Sequence, residues 1–402
     1  MTRFRFGVVA SPLHDPADVE RIVAPVTERL AGLGGVRDDD PSAGPDQPYA
    51  VVVATGGTEA EVLDLLARRP LTTPREPVIL VTHRLHNSLP ASLEALARLR
   101  QDGRHGRIVQ SEDLDDLTTM IADIVALQRL RRVRLGLVGK PSEWLVASVP
   151  DRVGVRERWG IDLVDVDIAP VIADHQAAPR AGGPVAVKFS RRRPEPSDEL
   201  EKASALHPAL LTAIDDAQVD AVTVRCFDFL GDLATSGCVA LAELNDTGTV
   251  AGCEGDIAGA VAMLIARHLL DQASWIANPS VIDRAAGRLV LAHCTVAPSL
   301  VEDLELHTHF ESGIGIGLRG TFAPGPVTLL RIGGRELEGH WFADGEILAA
   351  GDAPDLCRTQ VTLDVDPERL ELLLTAPLGN HIVMVRGHHR DRLERWWHLA
   401  QA

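Results

Sequence analysis

Cys253-Glu254-Gly255-Asp256 places two carboxylates where an apolar strand-like run ends and an apolar helical run begins. Open α/β sheets present ligand groups at that edge, so the pair could hold a divalent cation or move protons. Asp256 has a second explanation, because it directly precedes the predicted helix Ile257 to Leu270 and could simply cap it. Glu254 has no such structural duty and leads the candidates. His293, in Leu291-Ala292-His293-Cys294-Thr295, lies in an otherwise apolar strand and reads either as a satisfied core histidine or as a ligand. His309-Phe310-Glu311-Ser312-Gly313 sets a base, a carboxylate and a hydroxyl in one short polar segment, suited to sugar hydroxyls or to an ordinary strand turn. His381 follows Gly379-Asn380 and opens the apolar run Ile382 to Val385, so its imidazole stands at an element boundary, which favours a site. Arg225, in the predicted strand Ala221 to Cys226, joins Asp256, His309, Glu311 and Ser312 as a substrate-contact candidate.

Other signals are weaker or absent. Thr55-Gly56-Gly57-Thr58-Glu59 follows a strand and opens a helix, so its amides could hold an anion or sugar oxygens, or Thr55 or Thr58 could cap the helix. There is no GxGxxG, GxxxxGK[ST] or GxSxG, which argues against dinucleotide, P-loop and α/β-hydrolase chemistry. Five cysteines, odd in number and without a CxxC pair, indicate neither a disulfide framework nor a thiolate zinc knot; buried free thiols are the expectation.

The elements that must position these residues fall into three textures. Short β-rich runs at Phe4 to Ala10, Ala50 to Thr55, Pro77 to Thr82 and Arg107 to Gln110 alternate with helical patterns near 16–32, 58–68, 88–101 and 112–130. Such alternation predicts a parallel sheet covered by helices. The pattern restarts after Arg131-Arg132, with strands at Val133 to Val138, Ile161 to Val166, Ala221 to Cys226 and Val250 to Cys253. Within it, Ala177 to Asp198 reads as a loop or mobile cover. Past about residue 280, β-type runs punctuated by Gly and Pro predict an antiparallel barrel or sandwich. The chain closes on Asp391 to Leu399, where Leu393, Trp396 and Trp397 share a helical face and predict a docking helix. The expected fold is therefore α/β, with two Rossmann- or flavodoxin-like parallel-sheet domains at 1–132 and 133–276 and a mostly antiparallel β-barrel-type domain at 277–402.

A length of 402 residues suits two or three domains. The formal charge of −17 and pI near 5.3 disfavour nucleic acid and anionic membranes as partners. Arg191-Arg192-Arg193 is a basic run beside Pro194 and acidic residues, and reads as a solvated loop. Neither a signal-peptide core nor a membrane-length apolar stretch is visible, so a cytoplasmic location is expected. Aromatic residues make up only 4%, few for stacking on single-stranded nucleic acid.

The strings TGGTE at 55–59, HNSLPASLEAL at 86–96, GLVGKPSEWLVAS at 136–148, CEGDIAGAVAMLI at 253–265, AHCT at 292–295, HFESG at 309–313 and GNH at 379–381 occur in an order that resembles the shorter L-fucose isomerase-like proteins of the L-fucose/L-arabinose isomerase superfamily. The resemblance implies two Rossmann-like domains followed by a barrel-type domain, and a divalent metal, commonly manganese. It also implies a sugar substrate interconverted between aldose and ketose through an enediol, and a homo-oligomer, trimer or hexamer, with sites completed by a neighbouring subunit. Glu254 resembles the acidic ligand and proton-shuttling residue, His381 the C-terminal histidine ligand, and His293 a further histidine ligand of the arabinose branch. The second acidic ligand of the fucose branch falls at Asn278, with Asp283 the nearest carboxylate beyond it. An amide can lend a metal one neutral oxygen but cannot act as a carboxylate base. The departure keeps two alternatives beside the isomerase: a carbon–carbon lyase or transferase using the same enediolate, and a non-catalytic sugar-binding protein.

Overall fold

In the computed structural model, residues 3–42, 47–69, 76–178, 183–190 and 198–400 are described. The chain divides into two compact units, Met1–Arg129 with Arg395–Ala402, and Leu130–Glu394.

The first unit holds a five-stranded parallel sheet of β1 (Phe4–Val9), β2 (Gly35–Arg37), β3 (Tyr49–Val53), β4 (Val78–Thr82) and β5 (Gly106–Gln110), in the order β2-β1-β3-β4-β5. The runs Tyr-Ala-Val-Val-Val of β3 and Val-Ile-Leu-Val-Thr of β4 are buried throughout, as a strand covered on both faces demands. Four helices, α1 (Pro16–Gly32), α2 (Glu59–Ala67), α3 (Ser88–Gln101) and α4 (Leu114–Leu130), connect them. Helix α1 starts on Asp15, whose side chain accepts from the Ala17 amide, with Pro16 at the first helical position; it buries Val19, Val23, Val26 and Leu30 on one stripe. The short edge strand β2, three residues long, carries no alternation that sequence could reveal.

The second unit begins with a four-stranded parallel sheet of β6 (Arg134–Val138), β7 (Asp162–Val166), β8 (Ala221–Val224) and β9 (Ala251–Gly252), ordered β7-β6-β8-β9. Its helices are α5 (Arg152–Trp159), α6 (Ile168–Ala177), α7 (Pro184–Phe189), α8 (Asp198–Ser204), α9 (Leu206–Ala217), α10 (Asp228–Leu233), α11 (Cys238–Thr247) and α12 (Ile257–Leu270). The predicted loop over Ala177 to Asp198 is thus partly corrected: Pro184–Phe189 is helical and buries Val185, Ala186 and Phe189. Arg191-Arg192-Arg193 lies outside the described residues.

A closed six-stranded antiparallel barrel follows, of β10 (Trp275–Asp283), β11 (Arg288–His293), β14 (Gly325–Gly333), β15 (Gly339–Ala350), β16 (Thr359–Val365) and β17 (Ile382–Arg386), closing as β10-β11-β16-β15-β14-β17. The ribbon of β12 (Asp303–Thr308) and β13 (Ile316–Thr321) stands beside it, with α13 (Pro367–Thr375) and α14 (Arg390–Ala400) completing the chain. Leu393, Trp396 and Trp397 of α14 are buried, and Trp396 Nε1 donates to the Asp123 carbonyl at 3.1 Å.

Two parallel sheets and a mainly antiparallel barrel agree with the fold class expected from sequence. Strands β2, β10 and β12 and helix α13 are elements that sequence reading left out; β10 matters most for the site. Pro279 lies in it, and the register with β11 slips between Pro279 and Val281, a bulge that hides the alternation of a regular strand. Helix α12 is apolar nearly all round, as befits a helix packed between β9 on one side and β10, β14 and β17 on the other.

Candidate functional site

Strand β9 ends at Gly252, and the next residues turn sharply into α12. Glu254 and Gly255 both sit in the left-handed region, with φ of 61° and 72°. A side chain at Gly255 would stand 2.8 Å from the Pro141 Cα, so glycine is required there. Glu254 pays a conformational cost, on the order of 1–3 kcal/mol, that its surroundings must hold in place. They do so through the Ser142 amide, which donates to the Glu254 carbonyl at 3.0 Å, and the Gly255 amide, which donates to the Val224 carbonyl at 2.9 Å. The strained turn aims the Glu254 carboxylate into the protein.

That carboxylate is 8% exposed. Its Oε2 accepts from Trp144 Nε1 at 2.6 Å, while Oε1 lies 3.5 Å from His381 Nε2 and 3.8 Å from His293 Nε2. The glutamate comes from the turn between β9 and α12, His293 from the end of β11 and His381 from the residue before β17. Barrel strands and sheet strand thus bring to one point side chains up to 127 positions apart.

Asp256 settles its two sequence readings by doing both jobs. Oδ1 accepts from the Gly259 amide at 2.8 Å, capping α12. Oδ2 faces His381 Nδ1 at 2.8 Å and accepts from Arg331 Nη1 at 3.2 Å. Arg331, on β14 and 1% exposed, also donates to Ser148 Oγ and the Leu378 carbonyl. With Nδ1 donating to Asp256, His381 turns Nε2 toward Glu254, and that buried nitrogen has no hydrogen-bond partner. A histidine oriented through one nitrogen by a carboxylate, with the other left open, is the usual preparation of a metal ligand.

The electrostatics sort the two histidines. Burial pushes His381 down, but its hydrogen bond with Asp256 and the negative charges of Asp256 and Glu254 outweigh it and raise the imidazole to about 9. Burial dominates at His293, against a weaker pull from Glu254, and keeps that ring neutral; its Nδ1 lies 2.9 Å from Thr295 Oγ1. Burial would raise Glu254, yet the two imidazoles facing it, His293 and His381, hold it far below the ordinary carboxylate range. Asp256 is also lowered, its burial overcome by Arg331 and His381. The centre is therefore a buried anion between one neutral and one cationic imidazole.

Around this centre lies a cavity of about 30 Å³, lined by Glu254, His293, Asn278, His309, Glu311 and the cysteines among others. Asn278 faces it from β10, with Asn380 Nδ2 at 3.5 Å from its Oδ1. Asp283 cannot take its place: it sits at the far end of β10 opposite Arg288 and accepts from the Ala286 amide in the hairpin turn. His309 is held down at about 4, chiefly by burial; its Nδ1 lies 3.0 Å from Ser312 Oγ and its ring meets Phe227 edge-on. Glu311 and Ser312 form an exposed rim. Arg225 is occupied elsewhere, donating to Asp228 at 2.8 Å, Glu143 at 2.7 Å and the Pro141 carbonyl at 3.2 Å; its neighbours Cys226 and Phe227 line the cavity instead.

Sequence reading missed Trp144, Arg331 and the thiols. Trp144 lies within a string that resembles the isomerase-like proteins, but nothing local marks it as a partner of Glu254. Arg331 interrupts the apolar run of β14, and a charged residue inside a buried strand is the signal that could have found it. Cys253 Sγ lies within 4.8 Å of donor atoms of Glu254 and His293. At Thr55 to Glu59, neither expected cap forms: Thr58 precedes α2 without a side-chain cap, and its hydroxyl donates to the Thr55 carbonyl at 2.7 Å. Among the described residues no helix is long and apolar enough to cross a membrane.

Fold and site together define an α/β protein with an antiparallel barrel and a buried carboxylate–imidazole centre able to hold a cation. No family model matches the chain. It is distantly similar to sulfoquinovose isomerases: 23% identical over 218 residues to that of Priestia aryabhattai, covering 51% of this chain and 48% of the relative. The enzyme of Alkalicoccus urumqiensis is 22% identical over 217 residues (52% and 49%), and that of Clostridium sp. (strain MSTE9) 27% over 188 residues (44% and 41%). The matches thus span about half the length of these relatives.

Proposed function

We propose that the chain is a metal-dependent sugar isomerase that interconverts an aldose and a ketose through an enediolate, with a sulfonated hexose as its first substrate to test. The observation that carries this reading is the unpartnered Nε2 of His381, aimed at Glu254 while Asp256 holds the other nitrogen. The relatives, sulfoquinovose isomerases by name, supply the reaction class and the sulfonated substrate.

Glu254, His293 and His381 would hold the cation, with the Asn278 amide oxygen as a weaker fourth donor. Manganese is the proposed ion, as the resemblance to the L-fucose isomerase-like proteins implies; the carboxylate and amide oxygens suit such an ion. Bound there, it would polarise the two substrate oxygens flanking the moving proton. Glu254 would take the proton from carbon, its carboxylate ionised and fixed by Trp144. With an amide at position 278, the second proton carrier would be Glu311 or His309, both at the cavity. The inner cavity of about 30 Å³ has room for an ion; the sugar would approach it from the exposed rim of Glu311 and Ser312. A cytoplasmic homo-oligomer and domains at 1–132, 133–276 and 277–402 belong to the same reading.

Asn278 favours a second reading. A site with one carboxylate fewer performs one proton transfer fewer, as a carbon–carbon lyase or transferase would. Metal-free protein should bind Mn2+ with loss of its free-ion paramagnetic signal, and Glu254→Gln should abolish binding. Loaded protein should then convert sulfoquinovose to its ketose in heavy water with solvent deuterium incorporated at the reacting carbons. Cleavage without deuterium would replace the isomerase by the lyase; binding of sugar with neither event would leave a binding protein.

A further inference from the structure

All five cysteines of the chain line the cavity that contains Glu254 and His293. They arrive from five separate places. Cys226 and Cys253 follow the neighbouring strands β8 and β9, Cys238 opens α11, Cys294 follows β11, and Cys357 stands just before β16. Cys226 and Cys253 also pack within the core of the second sheet, yet the rest of the buried core, built from aliphatic and aromatic residues and Met, holds no thiol outside this cavity; packing by itself does not place all five at one spot.

Two of the sulfurs are positioned to act together. Cys226 Sγ and Cys253 Sγ are 3.0 Å apart, and Cys253 Sγ, a Glu254 oxygen and a His293 ring nitrogen lie within 4.8 Å of one another. Two thiols, one imidazole and one carboxylate make the donor set of a tetrahedral thiophilic cation, with bonds of about 2.3 Å to sulfur and about 2.0–2.2 Å to nitrogen and oxygen. Cys253, Glu254 and His293 already hold donor atoms within 4.8 Å of one another, and Cys226, brought in through its 3.0 Å contact with Cys253, completes the set by rotation of its side chain. The cavity of about 30 Å³ takes an ion or a water or two at this inner end, and nothing larger.

We infer that Cys226, Cys253, His293 and Glu254 form a site for a thiophilic divalent cation such as zinc, and that its occupation excludes the manganese-type ion because His293 and Glu254 would serve both. Binding converts the two thiols to thiolates and releases two protons per ion; no electrons move. The exclusion rests on the function proposed above, whereas the thiophilic site does not. The same centre would therefore read the ratio of soft to hard cations, idle with the first and competent with the second.

The full chain, reduced and freed of metal, should develop the near-ultraviolet thiolate-to-cobalt charge-transfer band on titration with Co2+, saturating at one equivalent and reversed by Zn2+. Cys226→Ser and Cys253→Ser should each remove most of the band, and Cys357→Ser should keep it. Absence of the band from the unaltered chain, or its survival in the doubly substituted protein, overturns the site. Should the variants fail to fold, X-ray absorption of the zinc-loaded unaltered chain decides: a sulfur shell at about 2.3 Å supports the site, and a shell of only nitrogen and oxygen overturns it. Mn2+ binding, followed by magnetic resonance on the same samples, separates the two readings. Displacement of Mn2+ by Zn2+ supports the exclusion, and simultaneous binding overturns it. A cobalt–thiolate band in protein that never binds Mn2+ sinks the metal-dependent isomerase while upholding the thiophilic site.

Discussion

Two parallel sheets present polar loops at their strand ends, and they treat those groups in opposite ways. After β3 and β4 in the first unit, several polar groups turn back on the backbone, although Thr82 Oγ1 at the end of β4 is buried without a hydrogen-bond partner. Ser88 Oγ donates to the Val53 carbonyl at 2.5 Å, His83 Nε2 lies 2.8 Å from the Ala54 carbonyl, and Thr55 Oγ1 accepts from the Ser11 amide at 2.8 Å. After β9 in the second unit, Glu254 is held at positive φ with its carboxylate between two imidazoles, and the His381 Nε2 facing it makes no hydrogen bond. Glycine-rich turns and hydroxyls make both edges look similar as text. The difference teaches that an unsatisfied group, which costs about 1–3 kcal/mol, marks a site where it stands beside a buried charge: Thr82 Oγ1 is a lone hydroxyl, whereas His381 Nε2 faces the Glu254 carboxylate.

The largest effect that sharpens this contrast should come from Asp256→Ala. It would strip the cap from α12, leave Arg331 as an unpaired buried charge and free His381 to turn. A loss of about 3–5 kcal/mol in urea unfolding is expected, together with loss of Mn2+ binding; unchanged stability would mean that the network is not what holds the centre.

Next comes the pH dependence of the metal-free protein. His381 is raised to about 9 in the folded state, so its contribution is complete below the unfolded histidine value near ~6.5 and fades as pH rises through about 9. Glu254 and Asp256 are lowered, so theirs is present above the unfolded carboxylate values near ~4 and is lost on acidification. Unfolding midpoints should fall between pH 6 and pH 10, and His381→Gln should flatten that decline. A decline that survives His381→Gln would assign it to another group.

Trp144→Phe removes one donor to Glu254 while keeping an aromatic ring against Phe227. Mn2+ affinity should weaken by roughly 10-fold, within the range for an outer-shell partner, with little change in unfolding. The smallest effect is expected in the first unit. Thr58→Ala deletes a buried hydroxyl that donates to the Thr55 carbonyl, costing about 1 kcal/mol and leaving Mn2+ binding untouched. A loss of metal binding there would break the comparison between the two edges.

Much of the fold was legible in sequence because its signals are local. The predicted strand Ala50 to Thr55 and helix 88–101 match β3 and α3 to within one or two residues, since burial on both faces writes a continuous apolar run and a helix writes a stripe. Strand β10 escaped because Pro279 and a bulge erase the alternation. At the site, Glu254 stood out as a carboxylate at a strand end and His381 as an imidazole at a boundary, and the structure sets them 3.5 Å apart. Arg225 did not join them, because Asp228 and Glu143 claim its guanidinium.

By itself, then, the amino-acid order determined which segments become strands and helices, and which isolated residues carry groups fit for chemistry. Only the tertiary structure decided that His293 faces Glu254, that Arg331 and Asp256 orient His381, and that five cysteines without any recognisable spacing meet in one cavity. The physical reason is range: periodicity and capping act over a few residues along the chain, whereas a site is closed by strands far apart in sequence that meet only when the barrel is complete.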